Sequence, residues 1–138
     1  MWFETKGKIA YDPERGRLKK KPDWWAVVNL DPEISRYYRY QVKRDLGVDL
    51  HKPSWGTHVS IIRGEKPYPD KMHLWKKYHG IEVNIKYHHV VRYSGDTSHD
   101  RPELYWFVNV ESPCLIDIRK ELNLPCNFGL HMTIGRIW

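Results

Sequence analysis

The chain has 138 residues, of which 41% are hydrophobic and 29% are charged, so it fits one compact domain and leaves no room for two independent cores. Lys and Arg number 23 against 17 Asp and Glu, and the resulting net charge of +6 favours anionic partners such as nucleic acid, nucleotides or acidic lipid. Aromatic residues make up 14% of the chain. Most of these rings should pack in the core, and a few exposed rings beside basic groups would offer stacking surfaces for unpaired bases.

The sequence also bears on cellular location and redox state. The N-terminal segment has no apolar stretch of signal-peptide length, and the most apolar runs, such as residues 24–28, are far shorter than a membrane span. We therefore expect a soluble, cytoplasmic protein with no membrane partner. No metal-ligand spacing surrounds Cys114 or Cys126, so we expect two reduced thiols rather than a disulfide or a zinc site.

The first half of the chain predicts a loop, a strand, a helix and a second strand. Residues 11–22 are basic and rich in turn formers, whereas residues 24–30 are dense in aromatic and β-branched side chains, which favours a buried strand. The Asp-Pro pair at 31–32 is typical of a helix start, and apolar residues at helical spacing continue to Gly47. Residues 57–63 alternate in polarity over their first half and predict a strand.

The second half predicts, in order, a short helix, a strand, a hairpin loop or mobile flap, a strand, a helix and a final strand. Their ranges are 70–79, 81–91, 92–103, 104–110, 112–122 and 130–137. Together these elements predict an α+β fold in which helices pack on a mostly antiparallel sheet.

Two segments of the chain share the pattern Gly-x-His-x-[Ser/Thr]-Ile-x-Arg. They are GTHVSIIR at 56–63 and GLHMTIGR at 129–136. A single His-x-Ser carries little information in a chain with 8 histidines, but two copies that share further residues at matched offsets are rare by chance.

The spacing within this motif has a structural meaning. Residues i and i+2 of a strand face the same side, so His58 should point with Ser60, and His131 with Thr133. The intervening apolar residues then face the core. If the two strands are neighbours, two imidazoles and two hydroxyls meet on one surface.

These four side chains suit phosphodiester cleavage without a metal or other cofactor. One neutral imidazole can accept a proton from an attacking hydroxyl or water, while a second, protonated imidazole gives a proton to the departing oxygen. The hydroxyls can donate hydrogen bonds to the non-bridging phosphate oxygens. Arg63 and Arg136 follow each histidine by five residues and fall formally on the other face, so they reach the phosphate only if a bulge or strand end turns them inward.

Two other interpretations of the histidines are open. Each could be a satisfied interior residue of an edge strand, with Ser60 and Thr133 as ordinary strand residues. A metal site is the other competitor, but no carboxylate triad or HExxH motif accompanies the pair, and the adjacent His88 and His89 would face opposite ways on a strand.

The motifs resemble those of the two-histidine (2H) phosphoesterases, whose hallmark is a pair of His-x-[Ser/Thr]-x tetrapeptides. Here these are HVSI at 58–61 and HMTI at 131–134, and Ser60 stands where Thr is commoner. Within that superfamily, the segments HVSIIRGEKP, DPEISRYYRY and HMTIGRIW are most similar to the phage anti-CBASS phosphodiesterases, which degrade cyclic oligonucleotide alarm signals of the host.

The resemblance implies a single domain over residues 1–138 with two pseudo-symmetric lobes, helices on the outer face and the motifs on central strands. It implies metal-independent opening of cyclic di- and trinucleotides such as cyclic GMP-AMP at 3′–5′ linkages, in the host bacterial cytoplasm, as a means of immune evasion. By this resemblance His58 and His131 form the acid/base pair, and Ser60 and Thr133 bind the phosphate.

The remaining aromatic and basic residues supply candidates for contacts with bases or with a second phosphate. The candidates for substrate binding are Tyr11, Lys21, Arg63, Trp75, Arg136 and Trp138. The expected partner is a small cyclic nucleotide rather than duplex nucleic acid. Two alternatives stay open, namely a 2H enzyme that acts on RNA ends with a 2′,3′-cyclic phosphate and a non-catalytic protein that sequesters nucleotides.

Overall fold

The computed structural model describes residues 1–13, 23–53, 56–96, 103–126 and 129–137. Within these ranges the chain forms seven strands, two α-helices and one 3₁₀ helix. In chain order they are β1 (Trp2–Tyr11), β2 (Ala26–Asn29), α1 (Pro32–Leu46), β3 (His58–Ile62), the 3₁₀ helix (Pro69–Leu74), β4 (Glu82–His88), β5 (Arg92–Asp96), β6 (Glu103–Glu111), α2 (Pro113–Glu121) and β7 (His131–Ile137).

The strands form one sheet that closes on itself. They are hydrogen-bonded in the order β4-β1-β2-β3-β7-β6-β5, and β4 also pairs with β6 through Lys86 and Tyr87. Six strands therefore form a ring, and β5 extends from it as the outer strand of a hairpin with β6. The expected α+β class and antiparallel pairing are confirmed.

The closed ring does not divide clearly into the two lobes that we expected. The strand β4 is hydrogen-bonded to β1 on one side and to β6 on the other. In a structure made of two open sheets, β4 and β6 would each have a free edge at this point, whereas here they pair with each other. In such a ring no strand is central. The motif strands β3 and β7 are instead neighbouring strands of one barrel.

The connections nevertheless repeat one order of elements. The helix α1 joins β2 to its antiparallel neighbour β3, and α2 joins β6 to its antiparallel neighbour β7. The pairing of β3 with β7 then brings the last strand of each repeat together.

One apolar cluster covers the side of β3 and β7 that faces the helices. Its buried members include Val59, Ile61, Met132 and Ile134 of the strands, Tyr38 and Val42 of α1, and Leu115 and Ile118 of α2. His58, Ser60, His131 and Thr133 alternate with these residues and are only half-buried. The predicted alternation is therefore confirmed, and the four polar side chains lie on the face opposite the helices.

The helix α1 begins and ends where the sequence predicts. The Asp31 side chain accepts a hydrogen bond of 3.0 Å from the backbone N–H of Glu33, and Pro32 occupies the first turn. Gly47 ends the helix at φ +69°, and its N–H donates to the carbonyl of Lys43.

The first strand, β1, was not predicted. Most of its first half is exposed, and Gly7 interrupts its pattern. The glycine has a reason, because a Cβ there would lie 2.5 Å from the Val28 side chain and 2.6 Å from the Asn29 carbonyl oxygen. The strand extends to Tyr11, so the segment predicted as a loop over 11–22 leaves the strand one residue later than predicted. Residues 14–22 of that segment lie outside the described ranges.

Two further predictions need correction. The helix predicted over 70–79 is a 3₁₀ helix at Pro69–Leu74 followed by turns that end at Gly80, whose φ is +81°. The segment predicted as a loop or flap over 92–103 starts with β5, which pairs with β6 along its whole length. The sequence of β5 did not predict a strand because it is mostly polar, and the outer strand of a hairpin can be polar when it exposes one face to water.

Candidate active site

The register between the two motif strands arranges their polar side chains as a quartet. Val59 pairs with Met132 across antiparallel strands, so His58 lies across from Thr133, and Ser60 lies across from His131. We call His58, Ser60, His131 and Thr133 the quartet. Its two histidines occupy one diagonal, for which strand geometry gives a Cα separation of about 7–8 Å.

Each histidine is oriented by the glycine two residues before it. His58 Nδ1 lies 3.0 Å from the carbonyl oxygen of Gly56, and His131 Nδ1 lies 3.4 Å from that of Gly129. A carbonyl oxygen only accepts, so Nδ1 donates in both cases, and proton exchange with a bound substrate falls to Nε2. Gly56 has φ +78°, which explains why a glycine begins this motif.

A β-bulge follows the quartet in β3. Val27 of β2 pairs with Ser60, and the next residue, Ala26, pairs with Ile62, so Ile61 is the extra residue of the bulge.

The strand β7 has a bulge at the matching position. Phe107 of β6 pairs with Thr133, and Trp106 pairs with Gly135, so Ile134 is skipped. Both extra residues are the Ile of Gly-x-His-x-[Ser/Thr]-Ile-x-Arg. The repeated motif thus encodes a bulge as well as an alternation.

The bulge in β3 brings Arg63 to the face of the quartet. Its guanidinium lies 5.6 Å from the centre of the Trp25 ring. The same ring donates a hydrogen bond of 3.2 Å from its Nε1 to the Ser60 hydroxyl and meets His58 edge-on at 6.0 Å. The condition that the sequence set for Arg63, a bulge that turns it inward, is present.

Arg136 has the corresponding place on β7. It lies across from Tyr105, whose ring is 6.2 Å from that of His131, and Phe107 approaches His131 to 5.5 Å. Because cross-strand partners share a face, Arg136 also lies on the side of the quartet. Each histidine therefore has an aromatic neighbour and an arginine farther along its own motif.

Several of these neighbours were not singled out from the sequence. They are Trp25, Tyr105 and Phe107, and also Asn29 and Asn109, which pair with His58 and His131 respectively. A signal for the two asparagines was present, since VNLDP at 28–32 echoes VNVESP at 108–113. Each echo ends a strand and begins a helix.

Trp75 lines a groove beside the quartet. Its Nε1 donates a hydrogen bond of 3.1 Å to the Asp12 carboxylate, and Trp24 packs edge-on against it at 5.1 Å. The groove has a volume of about 520 Å³, and its other lining residues include Trp25 and Lys76. Because Trp25 also contacts Ser60, the groove adjoins the face of the quartet.

The other predicted binding residues have different places. Tyr11 is only 4% exposed and packs edge-on against Trp75, so it offers little ring surface to a ligand. Burial raises the pKa of Tyr11 to about 12, which keeps its phenol neutral. Lys21 and Trp138 lie outside the described residues.

Three further observations bear on other classes of function. Within the described ranges, no three His, Cys, Asp or Glu side chains lie close enough together to hold a metal ion. Cys114 and Cys126 are exposed and not bonded to each other. Neither described α-helix is both long and apolar enough to cross a membrane.

Comparison with known proteins adds no assignment. No family model matches the chain, and neither the curated proteins nor the solved structures include a significant match.

Proposed function

We propose that this chain is a metal-independent phosphodiesterase of the 2H type that opens cyclic di- and trinucleotides at 3′–5′ linkages. The observation that carries the proposal is the quartet, in which two histidines and two hydroxyls alternate around the antiparallel Val59–Met132 pair. Both imidazoles donate a hydrogen bond from Nδ1 to a glycine carbonyl oxygen, so Nε2 is the atom that each can present to the same phosphate.

The diagonal placement of the histidines suits a displacement at phosphorus. One imidazole takes the proton of the attacking hydroxyl or water as its oxygen bonds to phosphorus. The other gives a proton to the leaving ribose oxygen as its bond to phosphorus breaks. Ser60 and Thr133 occupy the other diagonal and can donate to the non-bridging oxygens, where charge builds up.

The surroundings of the quartet support a compact, polyanionic and aromatic substrate. Arg63 and Arg136 add two cations on the same face, and the groove at Trp75 adds ring surface, while its Lys76 is ion-paired with Asp12. Stacking of a base on such a ring contributes about 1–3 kcal/mol. A small cyclic nucleotide carries both phosphates and bases within this reach.

The finer parts of the proposal follow the resemblance to the phage anti-CBASS enzymes. The repeated order of strand, helix and strand supports a pseudo-two-fold relation between the motif strands, and hence the two-lobed ancestry that the family implies. The enzyme would act in the host bacterial cytoplasm and remove a cyclic oligonucleotide signal.

A panel of cyclic nucleotides tests the reaction directly. Chromatography after incubation should show linear products from at least one cyclic di- or trinucleotide, and turnover should persist in excess EDTA. Linear RNA with a 2′,3′-cyclic phosphate should be a poor substrate.

Other results of this experiment would contradict the proposal in distinct ways. Preference for the RNA ends would favour the RNA-processing alternative. Intact ligand recovered after heat denaturation would indicate sequestration, and activity that EDTA abolishes and zinc restores would indicate a metal site.

The pH dependence of turnover provides a second test. Imidazole ordinarily titrates near pH 6.5, and a reaction that needs one neutral and one protonated imidazole loses rate on both sides of its optimum. We expect a bell-shaped profile of kcat/KM near neutral pH. A flat profile between about pH 5 and pH 9 would argue against paired histidines.

A further inference from the structure

The two bulge carbonyls are held by arginines from the helices. Arg39 of α1 donates from Nη1 to the carbonyl oxygen of Ile134 at 2.8 Å, and Arg119 of α2 donates from Nη1 to that of Ile61, also at 2.8 Å. A bulge takes its extra residue out of the regular ladder, so these carbonyls are the ones that need another donor.

The contacts cross between the two repeats. The helix α1 leads into β3, yet its arginine bonds to the bulge of β7. The helix α2 leads into β7, yet its arginine bonds to the bulge of β3. Each motif strand is therefore held in shape by the helix of the other repeat.

Arg119 is the more buried of the two arginines, with 1% exposure. Besides the Ile61 carbonyl, it bonds to the Pro125 carbonyl at 2.8 Å and to both carboxylate oxygens of Glu65 at 2.8 and 2.7 Å. Such a bidentate ion pair is rigid, because the planar guanidinium matches the carboxylate.

Arg39 connects the two motifs through a short polar chain. Its Nη1 also donates to the Ser35 hydroxyl at 3.1 Å, and Ser35 shares a hydrogen bond of 2.7 Å with Thr57, the residue before His58. Gly135 allows close packing at this point, since a Cβ there would lie 2.8 Å from Leu50 Cβ, 2.9 Å from the His51 carbonyl oxygen and 3.2 Å from Arg39 Cδ.

We infer that Arg39 and Arg119 are positioning residues, which fix the two bulges and thereby hold Arg136 and Arg63 on the phosphate-binding face. Losing a bulge restores strict alternation, and a one-residue slip turns every following side chain to the opposite face. Without Arg39 the Ile134 carbonyl would lose its donor, which would weaken the bulge that turns Arg136 towards His131, while the two backbone hydrogen bonds between Arg136 and His51 would remain. This inference rests on the proposed function only for the identity of the substrate.

The experiment uses Arg39→Met, because Arg39 is half-buried and the substitution keeps its apolar stem. With 3′,3′-cyclic GMP-AMP as substrate, loss of one well-placed guanidinium should lower kcat/KM about tenfold, mainly through KM. Arg39→Lys retains a donor and should recover most of the loss. Arg36→Met removes the same charge from an exposed position on the same helix and should leave kcat/KM unchanged.

A double-mutant cycle separates positioning from general stabilisation. If Arg39 acts through Arg136, adding Arg39→Met to Arg136→Met should cause no further loss, whereas an independent structural effect would multiply the two losses. Multiplicative losses would overturn the inference. Should Arg39→Met fail to fold, Arg39→Gln shortens the side chain and removes its charge, and its loss should likewise disappear in the Arg136→Met background.

Binding of inorganic pyrophosphate, measured by calorimetry, tests the inference without turnover. Arg39→Met and Arg136→Met should weaken it to the same extent, and Arg36→Met should not. If the wild-type protein cleaves no cyclic nucleotide but shows this pattern, the proposed function fails and the inference stands. If Arg39→Met binds pyrophosphate as tightly as wild type while Arg136→Met does not, the inference fails.

Discussion

Replacing His58 or His131 by alanine should each lower the kcat/KM of cyclic-nucleotide cleavage about a thousandfold, since general acid–base groups contribute between about a hundredfold and ten-thousandfold. Both side chains lie on the face opposite the apolar cluster and are half-buried, so neither belongs to that cluster. Far-ultraviolet circular dichroism and the melting temperature should therefore stay close to wild type.

The losses of kcat/KM caused by the two substitutions should not be additive in free energy. If the imidazoles act as one acid/base unit, the variant lacking both should be no more than about tenfold slower than either single variant. His73→Ala is the matched control, because His73 is exposed on the 3₁₀ helix and the quartet does not include it. Near-wild-type turnover by either His58→Ala or His131→Ala would contradict the acid/base assignment.

Arg119→Met should produce the largest loss of stability among these substitutions. It removes the donors that bond to Ile61, Pro125 and both oxygens of Glu65 at a site with 1% exposure. Breaking such a network typically costs about 3 kcal/mol of unfolding free energy, and we expect the melting temperature to fall by about 10 °C. Arg44→Met removes an exposed arginine that pairs with its neighbour Asp45 and lies over the Tyr40 ring, and it should leave the melting temperature nearly unchanged.

The Arg119–Glu65 pair also predicts how stability depends on pH. The hydrogen bonds from Arg119 hold the pKa of Glu65 below its ordinary value of 4.5, so the folded state favours the ionised carboxylate. That stabilisation is present above pH 4.5 and is lost as the pH falls through the lowered pKa. In Glu65→Gln the stability should therefore be lower than wild type at neutral pH, and the difference should shrink on acidification. A difference that stays constant down to pH 3 would contradict this account.

Local patterns predicted the elements whose signals are short-range. The helix α1 has its N-cap, proline and terminal glycine at the expected positions, and β3 and β7 alternate as their sequences indicate. The strand β1 was not predicted because Gly7 interrupts its pattern. That glycine is required by the close approach of β2, which is distant in sequence. The strand β5 escaped because its stability comes from pairing with β6.

The candidate site likewise contains residues that a local pattern predicts and residues that only contacts distant in sequence place there. The repeated motif alone singled out His58, Ser60, His131 and Thr133. It could not tell that Arg63 and Arg136 share their face, because strict alternation places these arginines on the other side. Only the skipped residues Ile61 and Ile134, seen in the pairing with β2 and β6, reverse that alternation.

By itself, then, the amino-acid sequence determined that the protein is a small basic α+β domain with two equivalent histidine strands, since composition and period-two alternation are local properties. The tertiary structure decided that these strands are neighbours in a closed barrel, that Arg63 and Arg136 join the histidines, and that Arg39 and Arg119 hold the bulges from opposite repeats. Strand register, barrel closure and hydrogen bonds to bulge carbonyls depend on residues far apart in the chain, and no local pattern encodes which of them will meet.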